Sequence, residues 1–122
     1  MKEERRRHPR VKLRWPVKLG IPKGQLSRFW AVTVGLNGRI EDISAGGAFI
    51  CCEEPLGLNE KFNVVLHDDL EPDHKLPVNA EVIRSNVHCL DDEIMSHGMG
   101  VRFTNLTAED QQFISGLVSR LL

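Results

Sequence analysis

A short polar segment at residues 42–47, with the sequence Asp-Ile-Ser-Ala-Gly-Gly, carries groups that could hold a polar ligand against the backbone. Asp42 supplies a carboxylate acceptor, and Ser44 supplies a hydroxyl that can donate a hydrogen bond. Gly46 and Gly47 lack side chains, so they would let backbone N–H groups approach a ligand closely. The same residue types favour turns for local reasons. Taken alone, the segment is better explained by an ordinary turn between two strands.

A second polar cluster lies at the N-terminus, where residues 5–10 read Arg-Arg-Arg-His-Pro-Arg. Guanidinium groups pair bidentately with phosphates and with the O6/N7 edge of guanine, and they stack on bases. The carboxylate of Asp42 is an acceptor suited to the N1–H and N2–H groups of guanine. Together the two clusters contain what a guanine nucleotide requires. For the N-terminal cluster alone, a solvated tail and a weak polyanion binder are the open alternatives.

The two clusters together resemble the motifs of PilZ domains. Residues 6–10 match the RxxxR motif, and residues 42–47 match the [D/N]xSxxG motif, in the same order and about thirty residues apart. Residues 98–103, Gly-Met-Gly-Val-Arg-Phe, are similar to a late GxGxxF-type strand of that family. The resemblance covers nearly the whole chain. It implies a six-stranded antiparallel β-barrel with a C-terminal helix, which binds the bacterial second messenger cyclic di-GMP.

The resemblance also implies roles for individual residues. The arginines of RxxxR would grip phosphates and guanine Hoogsteen edges, while the turn would hold a guanine and its neighbouring groups. An arginine directly before RxxxR resembles those that accept an intercalated pair of ligands, so two cyclic di-GMP molecules per chain are an open alternative to one. The predicted ligand-binding residues are Arg5, Arg6, Arg10, Asp42, Ser44, Gly46 and Gly47.

Length and composition fit one globular domain with a basic N-terminal arm. The chain has 122 residues, of which 41% are hydrophobic and 27% charged, and its net charge is -1. These values favour a soluble single domain and give no overall field that attracts DNA. Residues 1–10 are too polar to enter a core, so we expect them to be mobile unless a partner orders them. The domain is expected at residues 11–122.

The remaining side chains predict no catalytic or metal site. No Ser-His-Asp or Cys-His set is placed by the sequence, and the histidines and cysteines lack metal-ligand spacing, so neither an enzyme nor a cofactor is expected. The three cysteines do not suggest a disulfide framework, and Cys51 and Cys52 should point to opposite faces of a strand, one buried and one at the surface. With no leader and no apolar run near ~18 residues, a cytoplasmic, reduced, non-membrane setting is expected.

Period-2 alternation of apolar residues predicts short strands along most of the chain. Strands are expected near residues 11–18 and 29–34, on both sides of the turn at 42–47, and near 61–66, 78–87 and 98–103. Loops are expected at residues 20–25, 68–75 and 89–96, with a hairpin turn at 35–38 because Asn-Gly is a strong hairpin signal.

The C-terminal residues, from about 107 to 121, predict one amphipathic helix. Thr107 and Asp110 resemble a capping box. Apolar residues recur at helical spacing and should form one buried stripe: Phe113, Ile114, Leu117, Val118 and Leu121.

Three functions remain open at the level of sequence. In the first, cyclic di-GMP orders the N-terminal arm across the barrel, and an unidentified downstream protein recognises the result. In the second, the domain is an adaptor for a protein partner, as in type IV pilus or flagellar motility, and does not depend on the nucleotide. In the third, the barrel binds RNA or other polyanions through charge alone.

Overall fold

Six antiparallel strands and one helix follow one another along the chain. The structure is a computed structural model that describes residues 11–27, 30–68, 71–89 and 94–121. The elements are β1 (Val11–Ser27), β2 (Trp30–Ile43), β3 (Gly47–Cys52), β4 (Lys61–Asp68), β5 (Glu71–His88), β6 (His97–Thr104) and α1 (Ala108–Leu121).

The strands close into a barrel in the order β1-β2-β3-β6-β5-β4. Closure is completed where Gly20 of β1 pairs with Asn63 of β4. Because side chains alternate across a strand, each strand sends one set inward. The core therefore draws a buried apolar residue from each described strand: Leu19, Ile40, Ile50, Val64, Val82 and Met99. The predicted six-stranded barrel with a C-terminal helix is confirmed.

Helix α1 packs on the core through part of its predicted stripe. Ile114, Leu117 and Val118 are buried, and Phe113 is partly buried against the core. Leu121 was predicted to join them but is 40% exposed, because it lies in the last turn of the helix. Among the described residues, no helix combines the length and the apolar character that crossing a membrane would require.

The first hairpin is longer than the sequence predicts. Residues 20–25, expected as a loop, and residues 35–38, expected as a turn, both lie in strands. Residues 15–23 of β1 pair without interruption with residues 32–40 of β2.

Cross-strand contacts explain why the Asn-Gly signal fails. Lys18 Nζ donates to Asn37 Oδ1 at 2.7 Å, and the Asn37 amide donates to Glu53 Oε1 at 2.8 Å. The hydrogen bonds of a long ladder outweigh the turn preference of a two-residue segment. The predicted loop at 68–75 is also shorter than expected, because β5 begins at Glu71.

The start of α1 forms the predicted capping box. The Thr107 amide donates to Asp110 Oδ2, and the Asp110 amide donates to Thr107 Oγ1, both at 3.0 Å. Each bond satisfies an amide that the helix itself leaves without a partner.

Replacing Thr107 with alanine is expected to lower the free energy of unfolding by about 1 kcal/mol, because the Asp110 amide loses its acceptor. Urea denaturation of the purified protein measures the change. Ser119→Ala, an exposed change within the same helix, is the control and should leave stability within ~0.5 kcal/mol. Equal stability of the two variants would contradict a role for the cap.

Candidate functional site

The register of β1 and β2 brings the two sequence motifs together. Arg5, Arg6 and Arg10 lie outside the described residues. Arg10, however, is bonded to Val11, the first residue of β1, and Val11 pairs with Ile43. The end of RxxxR is therefore covalently adjacent to the strand that leads into the turn at 42–47.

A bulge in β2 sets which side chains surround Asp42. Ile40 pairs with Ile50 and Asp42 pairs with Phe49, so Glu41 is an extra residue on β2. A bulge of this kind re-aims the side chains beside it. Here Glu41 and Asp42, although adjacent in sequence, both line one pocket on the outside of the barrel.

That pocket has a volume of about 300 Å³, near the lower limit for a small-molecule site. It combines cationic, anionic, aromatic and sulfur-containing groups. Arg39 and Glu41 form an ion pair, and their side chains are 15% and 24% exposed. Partial burial shields this pair from solvent more than a surface pair, so it holds the Arg39 guanidinium in position. The lining residues are Lys12, Arg39, Glu41, Asp42, Phe49, Cys51, His88 and Cys89.

A disulfide between Cys51 and Cys89 forms part of the pocket, which makes the sequence expectation of unpaired cysteines wrong. Cys51 of β3 and Val87 of β5 both pair with Gly98 of β6, one on each side. Gly98 has no side chain, and Cys89 Sγ would lie 2.9 Å from a Cβ placed there. The glycine thus leaves room for the bond above β6.

The two adjacent cysteines also differ from expectation, because both are buried. Cys51 lies on the outer side of its strand but is covered through its bond to Cys89. Cys52 points into the core, where burial raises the pKa of its thiol to about 11. Since the thiolate is the reactive form, Cys52 is a poor nucleophile at neutral pH.

Ser44 closes the turn and is 6% exposed. Its amide donates to the Gly47 carbonyl at 2.8 Å, and its hydroxyl donates to the same oxygen at 3.4 Å. The observed contacts of Ser44 are therefore within the turn, and its predicted role toward a ligand stays a prediction.

Gly46 and Gly47 have structural contacts of their own. A Cβ on Gly47 would lie 2.1 Å from the Val101 carbonyl oxygen, so a glycine is needed for β3 to pair with β6 at this point. Gly46 is exposed, and its carbonyl accepts a hydrogen bond from the Phe103 amide at 2.9 Å. Gly46 borders a different pocket, beside α1, from the one that Asp42 lines.

Several other aromatic and charged side chains lie away from this pocket. Trp15 packs against the core with its ring parallel to that of His67, at a centroid distance of 6.2 Å. Arg102 pairs with Glu81 at 2.8 Å and lines a second pocket. Among the described residues, His, Cys, Asp and Glu form no group of three placed to hold a metal ion.

Sequence comparison identifies one family. A family model described as PilZ domain matches residues 4–120, a range that includes both motifs. No curated protein matches the chain in sequence.

Solved structures with the same fold include the PilZ domain with c-di-GMP of YcgR from Escherichia coli, with a TM-score of 0.69 and 17% identity over 97% of this chain and 92% of that one. The Bacillus subtilis inhibitor of motility (MotI/DgrA) gives 0.69 and 17%, over 98% and 52%. The K. pneumonia MrkH-c-di-GMP complex gives 0.65 and 19%, over 98% and 53%. The chain thus spans about half the length of the last two proteins.

Proposed function

The chain belongs to the PilZ domain family, and on that basis we propose that it binds cyclic di-GMP and acts as an effector through another protein. One observation carries the proposal: Lys12 pairs with Asp42, so the strand that follows RxxxR runs directly beside the acidic residue of [D/N]xSxxG. Two segments some thirty residues apart in sequence thereby border one pocket. The c-di-GMP named in the YcgR and MrkH structures supports the same ligand.

The pocket chemistry suits a guanine nucleotide. Asp42 can accept from the N1–H and N2–H groups of the base, which adenine does not offer in that arrangement. Arg39, positioned by Glu41, is a donor for O6 or N7 or for a phosphate oxygen. Lys12 adds a second positive charge at the rim. Because a dinucleotide extends beyond a pocket of about 300 Å³, Arg6 and Arg10 would hold the remaining phosphates and the second base.

In this proposal ligand binding orders the N-terminal arm over the outside of the barrel. The arm and the bound nucleotide together form a surface that a downstream protein recognises. Ordering a polar segment costs conformational entropy, so the measured affinity is weaker than the contacts alone would give. Binding rather than catalysis remains part of the proposal, and so does a cytoplasmic location, where reducing conditions would oppose the Cys51–Cys89 bond.

Isothermal titration with cyclic di-GMP tests the proposal. Binding is expected for the intact chain, and both Asp42→Asn and the double variant Arg6→Gln/Arg10→Gln should weaken it at least roughly tenfold, because each removes charge-assisted hydrogen bonds. Glu109→Gln on α1 removes one negative charge and Arg102→Gln on β6 removes one positive charge, both away from the pocket, and each should leave affinity unchanged.

The same titration separates the alternatives. Absence of binding by the intact chain would favour the nucleotide-independent adaptor. Equal, salt-dependent binding of unrelated RNA would favour the polyanion barrel. A stoichiometry of two ligands that falls to one in Arg5→Gln would support the intercalated pair, whereas a stoichiometry of one in both would remove that role of Arg5.

A further inference from the structure

An apolar wall faces the charged side of the pocket. Phe49, on β3, is half-buried and lines the pocket together with the Cys51–Cys89 disulfide. A Cβ on Gly98 would lie 2.6 Å from Phe49 Cζ and 2.9 Å from Cys89 Sγ. The tip of the ring and the sulfur therefore share the space above this glycine, and the disulfide, whose cysteines are 1% and 7% exposed, packs beside the ring with little surface of its own.

The cross-strand register aligns this wall with Asp42. Phe49 is the direct partner of Asp42 across β2 and β3, and such neighbours have Cβ atoms about 5 Å apart. An aromatic ring and a carboxylate at that spacing can contact the face and the edge of one planar base. Neither of the two sequence motifs includes the aromatic residue.

We propose that Phe49, with the buried Cys51–Cys89 disulfide packed beside its ring, forms the platform on which one purine of the nucleotide stacks. The base face lies on the ring, while its hydrogen-bonding edge meets Asp42. The inference rests on the proposed function, because it concerns the same site. Stacking on an aromatic ring accepts any base, so the platform supplies affinity while the carboxylate at the edge supplies selectivity for guanine.

The alternative is a purely structural role of Phe49, in which the ring only covers Gly98 and the disulfide. The matched pair Phe49→Leu and Phe113→Leu distinguishes the two, because Phe113 is also a partly buried phenylalanine but lies on α1, outside the lining of this pocket. Thermal unfolding of both variants reports how much stability each loses. A purely structural role predicts that any loss of affinity follows the loss of stability.

Titration with cyclic di-GMP at a temperature where every variant is folded is the test. Phe49→Leu should lose at least roughly tenfold in affinity, and Phe113→Leu should bind like the unmodified chain. In a ¹³C-phenylalanine-labelled sample, the ring signals that are missing from the Phe49→Leu spectrum should shift upfield on ligand addition. Equal affinity of Phe49→Leu and the unmodified chain, or unshifted ring signals at saturation, would overturn the platform.

The contribution of the Cys51–Cys89 disulfide has its own test. Dithiothreitol breaks the S–S bond, giving two protein thiols and the cyclic disulfide of the reagent. At a temperature where the reduced protein is folded, this should lower the affinity severalfold. If complete reduction left the affinity unchanged, the disulfide would have no role in the platform. If the unmodified chain itself bound no cyclic di-GMP, the proposed function would fail; if it bound and Phe49→Leu bound equally, only the present inference would fail.

Discussion

Replacing Gly47 with alanine is expected to lower the free energy of unfolding by more than about 3 kcal/mol. The added Cβ would lie 2.1 Å from the Val101 carbonyl oxygen and 3.1 Å from the Arg102 Cα, both backbone atoms of β6. A flexible side chain could move aside, but these atoms are fixed by the β3–β6 ladder. Relief of the clash requires the two strands to separate where β3 begins. Urea denaturation monitored by tryptophan fluorescence measures the loss.

Gly116→Ala provides a matched control for Gly47→Ala. Gly116 lies within α1, and a Cβ there would meet nothing within 4 Å. Alanine is the better helix former, so this variant should gain about 0.5–1 kcal/mol. A loss of stability in Gly47→Ala and a gain in Gly116→Ala would show that the loss comes from the close approach of β3 to β6 at Gly47. If Gly47→Ala unfolded at the same urea concentration as the unmodified chain, the glycine of the motif would be present for the ligand rather than for strand packing.

Local sequence signals predicted the fold where tertiary contacts reinforced them. Thr107 and Asp110 form the predicted capping box, since both partners lie within one turn of each other. Alternating apolar residues located β3, β4 and β6, whose inner faces are buried. The turn signal at Asn37 failed because its competitors are distant in sequence: Lys18 and Glu53 bond to it across the neighbouring strands.

The candidate site was predictable only in part, for geometric reasons. The carboxylate of Asp42 follows from residue type and motif, and it does line the pocket. The contribution of Arg39 and Glu41 depends on a one-residue bulge in β2, whose mark in the sequence is a break in the alternation: Ile40 and Ile43 are both buried although they lie three residues apart. The contribution of Phe49 depends on register, which only the paired strands define.

The sequence does not predict the disulfide, because the path of the chain between the two cysteines, and not a recognisable spacing, brings them together. Cys51 and Cys89 are 38 residues apart, a separation typical of no motif. They meet because β5 carries one extra residue between Arg84 and Val87, with Asn86 at a φ of 62°, and then returns to pair with Gly98. Asparagine tolerates this left-handed conformation better than most residues. Asn86 is therefore the residue whose type comes nearest to indicating this irregularity in β5.

Removing the disulfide by the double change Cys51→Ala/Cys89→Ala is expected to lower the free energy of unfolding by about 4 kcal/mol. The bond closes a loop of 38 residues, and the estimate is the chain entropy that the unfolded state regains when such a loop opens. Both positions are buried, so alanine is chosen over serine, whose hydroxyl would be buried without a hydrogen-bond partner. Thermal and urea unfolding of the variant, compared with the oxidised unmodified chain, give the difference.

Reduction of the unmodified chain is the matched control for the double variant, because it opens the same loop without changing the sequence. Both samples should lose similar stability, and reductant should have no further effect on the double variant. Cys52 cannot substitute as a partner, because it points into the core and its thiol has a pKa of about 11. If oxidised and reduced protein unfolded at the same urea concentration, the bond would not constrain the unfolded chain. Mass spectrometry of protein alkylated directly in cell lysate measures, as a separate quantity, the fraction of the protein that carries the bond in the cell.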